Sequence, residues 1–208
     1  MSDVEEDSDH EDSFLTIGFE SSSLFKDRNS KFHGYAFPVQ NEEEIKARLD
    51  QLRKQFYDAR HHCYAYIIGR NQEYFRAVDD GEPNHSAGDP ILGQIRSFGL
   101  TNCLVVVIRY FGGTKLGVSG LINAYKTAAQ LALESNEIIR EYVMSQVKIK
   151  FEYPQMNDVM KLVKAYDLTI VSQELHLDCR MVLSFREGLE GLVLETLEQI
   201  GGLEILNS

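Results

Sequence analysis

The residues best placed to do chemistry lie between Arg109 and Ser119. Gly112, Gly113, Gly117 and Gly120 put four glycines into nine residues, with Lys115 among them. This stretch directly follows the apolar run Cys103–Ile108 and directly precedes a helical pattern from Leu121 to Leu133. A strand, a glycine loop carrying a lysine, and then a helix bring bare backbone N–H groups and the positive end of a helix dipole to one spot, and such a spot favours anions. The spacing is neither that of a Walker A loop, where the lysine follows the second glycine, nor G-x-G-x-x-G. Gly117–Leu121 lacks the closing glycine of a nucleophile elbow, so Ser119 is read as a phosphate contact and not as a nucleophile. A tight strand-to-helix turn would use the same glycines.

The expected phosphate or nucleic-acid contacts are therefore Arg109, Gly112, Gly113, Lys115, Gly117 and Ser119, joined by Arg60 and His61 from Arg60-His61-His62-Cys63. Adjacent histidines on a strand face opposite ways, which argues against zinc and predicts one histidine in the core and one at a polar contact. A second loop, Asp79 to Gly88, holds three carboxylates and His85. Asp79, Asp80 and Glu82 are the candidates for a divalent cation such as Mg²⁺ or for acid–base work. Their spacing is not that of an EF-hand, and turn chemistry accounts for most of the same residues. No catalytic residue is assigned, and no cofactor is expected unless the chain is an enzyme, when Mg²⁺ would enter.

The elements that must position these residues read in order. Cys103–Ile108 has no 3.6 period and is β-branched, so it predicts a strand buried on both faces. Phe14–Glu20, Leu24–Lys26, Lys31–Val39, Cys63–Ile68 and Tyr74–Val78 are further strands, the first two broken by Ser21–Ser23. Asn41 with Glu44 opens a helix whose stripe is Ile45, Leu49, Leu52 and Phe56. Asp89 and Pro90 are expected as N-cap and first residue of another helix that Gly99 ends. After a link at Glu134–Arg140 comes strand Tyr142–Tyr153, helix Pro154–Asp167, strands Leu168–Leu175 and Asp178–Arg186, helix Gly188–Ile200 and strand Leu203–Leu206. That order is βαββαβ.

Composition narrows the function classes. The 208 residues suffice for one large or two small domains, and the apolar fraction of 43% is ordinary for a globular chain. No apolar run is long enough for a membrane span, so no membrane partner is expected. Cys63, Cys103 and Cys179 are few, scattered and odd in number, which fits reduced core residues in a cytoplasmic protein. The net charge of −11 is unevenly spread. Seven carboxylates crowd residues 1–13, which are read as a disordered acidic leader. Residues 24–126 hold fourteen Lys/Arg against eleven Asp/Glu, whereas residues 140–208 hold seven against eleven. A mildly basic first domain permits a nucleic-acid surface.

The stretches KFHGYAFPV, ARHHCYAY, DDGEPNHSAGDPILGQI and VIRYFGGTKLGVSGLINAYKTAA, spanning Lys31 to Ala129, resemble the Impact/YigZ family. The part after them resembles the small C-terminal domain of bacterial YigZ-type members. Asn84-His85-Ser86 and Ser119 depart slightly from the usual family pattern. The resemblance implies an α+β protein. Residues 14–137 would form an Impact-type N-terminal domain of the ribosomal protein S5 domain 2-like fold. Residues 138–208 would form a ferredoxin-like βαββαβ domain similar to the last domain of translocating elongation factors. Those factors pair the same two folds, which implies RNA or the ribosome as partner. The eukaryotic Impact protein is a translational regulator that blocks activation of the general-control kinase through an extra N-terminal RWD domain. No such domain is read here, so that role does not carry over directly.

Three readings follow. The first is a non-enzymatic, translation-associated regulator that binds RNA, the ribosome or another phosphate-bearing partner without DNA sequence specificity. The second is an enzyme acting on a phosphorylated small molecule or nucleotide with a carboxylate/Mg²⁺ site. The third is a protein-interaction module.

Overall fold

The computed structural model describes residues 12–176 and 178–206. The chain divides into two units, Phe14–Glu141 and a second that joins Tyr142 onward to Asp12 and Ser13.

In the first unit, strands β2 (Ser21–Asp27), β3 (Ser30–Pro38), β4 (His61–Ile68), β5 (Tyr74–Val78) and β6 (Cys103–Tyr110) form one antiparallel sheet in the order β2-β3-β6-β4-β5. The apolar run makes β6 the middle strand, and Cys103 to Ile108 are all fully buried. Burial on both faces needs a cover on each. Helix α1 (Glu42–Gln55) covers one face with Ile45, Leu49 and Leu52 against Phe37, Tyr64, Tyr66, Leu104, Val106 and Ile108. Its start follows the Asn41/Glu44 spacing: Glu44 N–H donates to Asn41 Oδ1 at 2.9 Å, and the Glu44 carboxylate accepts the Gln40 N–H at 3.0 Å.

Helices α2 (Gly88–Ser97) and α3 (Gly117–Glu134) cover the other face. Small residues let α3 lie close: Ala124, Ala128, Ala129 and Ala132 are fully buried. Ser21 and Ser23 donate their hydroxyls to the Ala132 and Ala128 carbonyls at 2.7 and 3.0 Å. The serine run is thus the start of β2 and not a break between strands, because its hydroxyls find partners on the helix. Opposite Ser23, a Cβ on Gly34 would stand 2.6 Å from the Ala128 carbonyl oxygen.

Two further expectations change. Residues 138–142, expected within or beside a link, form strand β7 (Ile138–Tyr142), which pairs with β1 (Ser13–Ile17) as a separate ribbon. Helix α2 begins at Gly88 with Ala87 as its cap, ahead of Asp89 and Pro90. Its first N–H groups are satisfied from a distance by Asp79.

In the second unit, β8 (Met144–Glu152), α4 (Met156–Ala165), β9 (Thr169–Leu175), β10 (Asp178–Arg186), α5 (Glu190–Glu198) and β11 (Glu204–Leu206) follow the βαββαβ order. The antiparallel sheet runs β11-β8-β10-β9. Val147, Ile149, Phe151, Met181, Leu183 and Phe185 pack beneath Val159, Leu162, Val193 and Leu197 of the helices.

The reading of residues 1–13 as a disordered leader needs correction at its end; residues 1–11 lie outside the described ones. Asp12 is 3% exposed. Its Oδ1 accepts from Arg186 Nη2 at 2.8 Å, and its Oδ2 accepts from Arg186 Nε at 3.2 Å and the Gly188 N–H at 3.0 Å. A fork of donors overrides the leader's acidic composition. Among the described residues, no helix is long and apolar enough to cross a membrane.

Two predictions follow from this packing. Gly34→Ala inserts a methyl against helix backbone that cannot yield, and denaturant unfolding is expected to show a loss of about 1–3 kcal/mol. Hydrogen bonding from Arg186, then the Gly188 N–H, holds the Asp12 carboxyl below its ordinary value of 3.8 against the opposing effect of burial. A depressed folded pKa stabilises above the unfolded value and loses that stabilisation as pH falls through the folded one. Asp12→Asn is therefore expected to destabilise the protein at pH 7, and the difference from wild type is expected to vanish below pH 3.8 as the folded pKa is passed.

Candidate functional site

Three strand ends meet at one end of the first unit's sheet. His61, at the start of β4, stands opposite Arg109 near the end of β6, and Lys31, near the start of β3, stands opposite Tyr110. The acidic loop leaves β5 at Val78, opposite Tyr64 of β4, and so belongs to the same end. The glycine loop leaves β6 there too.

The acidic loop is built by its own carboxylates. Asp79 Oδ1 accepts the N–H groups of Ala87 and Gly88 at 2.9 and 2.8 Å, and Oδ2 accepts the His85 N–H at 2.8 Å. Burial would raise the Asp79 pKa, but these three backbone donors carry it below its usual value. Asp80 Oδ2 accepts the His62 N–H at 2.7 Å, and the Asp80 carbonyl meets His61 Nδ1 at 3.0 Å. Glu82 is 8% exposed, and its Oε1 accepts from Arg109 Nη1 at 2.6 Å and from the Tyr125 hydroxyl at 2.8 Å. Asp79, Asp80 and Glu82, the candidate cation ligands, thus each serve a protein donor. Among the described residues, no group of three or more His, Cys, Asp or Glu is arranged to hold a metal ion.

Arg109, expected to face phosphate, is 7% exposed and clamps Glu82 instead. Its guanidinium carbon lies 5.6 Å from the ring centres of both Phe32 and Phe111. Its Nε is buried without a hydrogen-bond partner. Beneath the pair, Cys63 Sγ donates to the Asp79 carbonyl at 2.9 Å. Burial, the larger effect, pushes the Cys63 thiol and the Tyr125 phenol well above their ordinary values. Both stay protonated, and Cys63 is no nucleophile. Of the two histidines, His62 is the buried one, its pKa lowered chiefly by burial, and His61 makes the polar contact.

The glycine loop splits by role. The Gly112 N–H donates to Ser30 Oγ at 3.1 Å, and a side chain there would run into the Asn29–Ser30 backbone, so packing requires a glycine at this position. Gly113 and Gly117 hold φ of 87° and 75° with open space where a Cβ would be. Lys115 and Ser119 are exposed. The 18-residue helix α3 has no side-chain cap and no acidic residue in its first turn, so its positive end is left to solvent. Phe111 begins this loop and also walls a cleft of about 320 Å³ lined by Asp58, Arg60, His61, Arg109 and Tyr110. Arg60, His61 and Arg109 do come together; Arg109 arrives there already paired.

Removing one partner of a buried pair leaves the other uncompensated. Arg109→Ala and Glu82→Ala are each expected to cost about 3–5 kcal/mol in denaturant unfolding. Tyr125→Phe is expected to cost about 1–2 kcal/mol, since one hydrogen bond to the carboxylate is lost and the ring remains.

The Impact N-terminal domain model matches residues 28–133. A Haemophilus influenzae protein described as an IMPACT family member is 30% identical over 178 residues, 84% of this chain and 86% of that one. A Thermus thermophilus protein described as an IMPACT family member in pol 5′region is 36% identical over 164 residues, 79% of this chain and 88% of that one. A crystal structure of a hypothetical protein superposes with a TM-score of 0.71 at 26% identity, covering 95% of this chain and 98% of that one. Matched by the family model across the unit that carries the site, and by full-length relatives across most of its length, the chain belongs to the Impact family.

Proposed function

We propose that this protein is a non-enzymatic, translation-associated regulator of the cytoplasm that binds RNA or the ribosome through the glycine loop of its first unit. The observation that carries the reading is the bare N-terminus of α3, which has neither a capping side chain nor an acidic residue in its first turn. Lys115, the open backbone at Gly113 and Gly117, and the Ser119 hydroxyl surround it. Phosphate oxygens suit such a spot: N–H groups, a helix dipole and one exposed ammonium favour negative charge without reading sequence. Arg60 and His61 line the adjoining cleft.

The finer reading of the fold supports the same partner. The first unit is taken as ribosomal protein S5 domain 2-like. The second, with sheet order β11-β8-β10-β9, is taken as ferredoxin-like, similar to the last domain of translocating elongation factors. The enzyme reading is less favoured, although the acidic and glycine loops share one end of the sheet. It requires Asp79, Asp80 and Glu82 to be available for Mg²⁺ or a proton, and their oxygens already accept backbone N–H groups, Arg109 and Tyr125.

The test is a salt titration of binding to ribosomes and to short single-stranded RNA. Affinity is expected to fall with a log–log slope of about −0.7 per phosphate contact. Lys115→Ala is expected to weaken binding on all sequences alike and to flatten the slope by about one contact. Absence of binding at low salt, or an affinity indifferent to salt and to Lys115, would refute the reading.

A further inference from the structure

The cleft beside the glycine loop has a different character from the loop. In the cleft Arg109 is paired with Glu82, and the Asp58 carboxylate lines the same space together with Arg60. With a carboxylate at its rim, the cleft suits phosphate less well than the loop does. It is a good match for a flat polar group that carries donors and acceptors on neighbouring atoms. Asp58 Oδ1 already accepts the Tyr110 hydroxyl at 2.6 Å, which fixes the carboxylate at the rim as an acceptor. Arg60 is exposed at the same rim as a donor, and Arg109 keeps a buried Nε with no partner. Phe111 is 58% exposed, and the Arg109 guanidinium carbon lies 5.6 Å from its ring centre. At about 320 Å³ the space sits at the small end of ligand pockets and holds one nucleoside-sized group.

We propose that this cleft receives a single unstacked nucleobase, guanine foremost, stacked on Phe111 with its edge read by Asp58 and Arg60, either from free guanosine monophosphate or from a strand of RNA. Guanine places N–H donors beside a carbonyl oxygen, so a carboxylate and an arginine can each take part of its edge. Phe111 also begins the glycine loop, so a base held here leaves its phosphate on the side of Gly113 and Lys115. The inference rests on the nucleic-acid reading above and adds a base site to its phosphate site.

The experiment measures binding of a short single-stranded RNA carrying one guanosine, beside the same strand with an abasic site at that position. Wild type is compared with Phe111→Ala, Asp58→Asn and Lys115→Ala, each checked for an unchanged thermal transition. The abasic change and Phe111→Ala are each expected to weaken binding roughly five- to a hundred-fold, the range found for base–aromatic stacking. Asp58→Asn is expected to erase the advantage of guanine over uracil. If Lys115→Ala weakens binding while the abasic strand and Phe111→Ala match the controls, the base site is overturned and the phosphate reading stands. If wild type binds no RNA at low salt, the phosphate reading fails, and an NMR titration with free guanosine monophosphate decides the cleft. Shifts at the His61 and Phe111 amides uphold it, and their absence overturns it.

Discussion

One carboxylate oxygen ties the first unit together. Glu82 Oε1 accepts from Arg109 at the end of β6 and from Tyr125 in the middle of α3, so the acidic loop, the central strand and the long helix converge on a single atom. Desolvating this pair is costly, and burial makes the geometry strict: neither partner can leave without stranding the other. The loop that brings Glu82 in is itself closed by Asp79, whose carboxylate replaces the missing cap of α2. The acidity of this loop is thus spent inside the fold, and the same ties hold α3 so that its first turn stands in the open.

That division of labour separates the buried charges at this end of the sheet from the exposed ones. Glu82 and Arg109 balance each other in the interior, and the half-buried Asp79 is taken up by the N–H groups of His85, Ala87 and Gly88. Outside stand Lys115, Arg60, Asp58, the bare start of α3 and the ring of Phe111. In the proposed reading phosphate meets Lys115 and the bare start of α3, whereas the buried set governs stability. Mutating Arg109 therefore perturbs the fold before it perturbs any ligand, and the exposed residues are the informative ones for binding.

Much of the architecture was legible from local pattern. The unbroken run Cys103–Ile108 pointed to a strand covered on both sides, the Asn41/Glu44 spacing marked the start of α1, and alternation along Asp178–Arg186 marked a half-buried strand. What was not legible depends on distant partners. Glu82 lies 27 residues from Arg109 and 43 from Tyr125, and no short-range spacing joins them. Asp12 is separated from Arg186 by 174 positions, so its acidic neighbours dominated the reading. Ser21–Ser23 read as a break between two strands because the carbonyls that accept the Ser21 and Ser23 hydroxyls belong to a helix more than a hundred residues later. At the site, the glycine pattern located the loop but could not separate Gly112, fixed by packing, from Gly113 and Gly117, which face open space.

The most direct test of the central claim is amide hydrogen exchange of the full chain with and without a short single-stranded RNA. The account predicts slowed exchange at the backbone N–H groups of residues 113–120, which form the exposed loop and the first turn of α3. Protection confined to the open face of the second unit's sheet, or no change at residues 113–120 under saturating RNA, would contradict it.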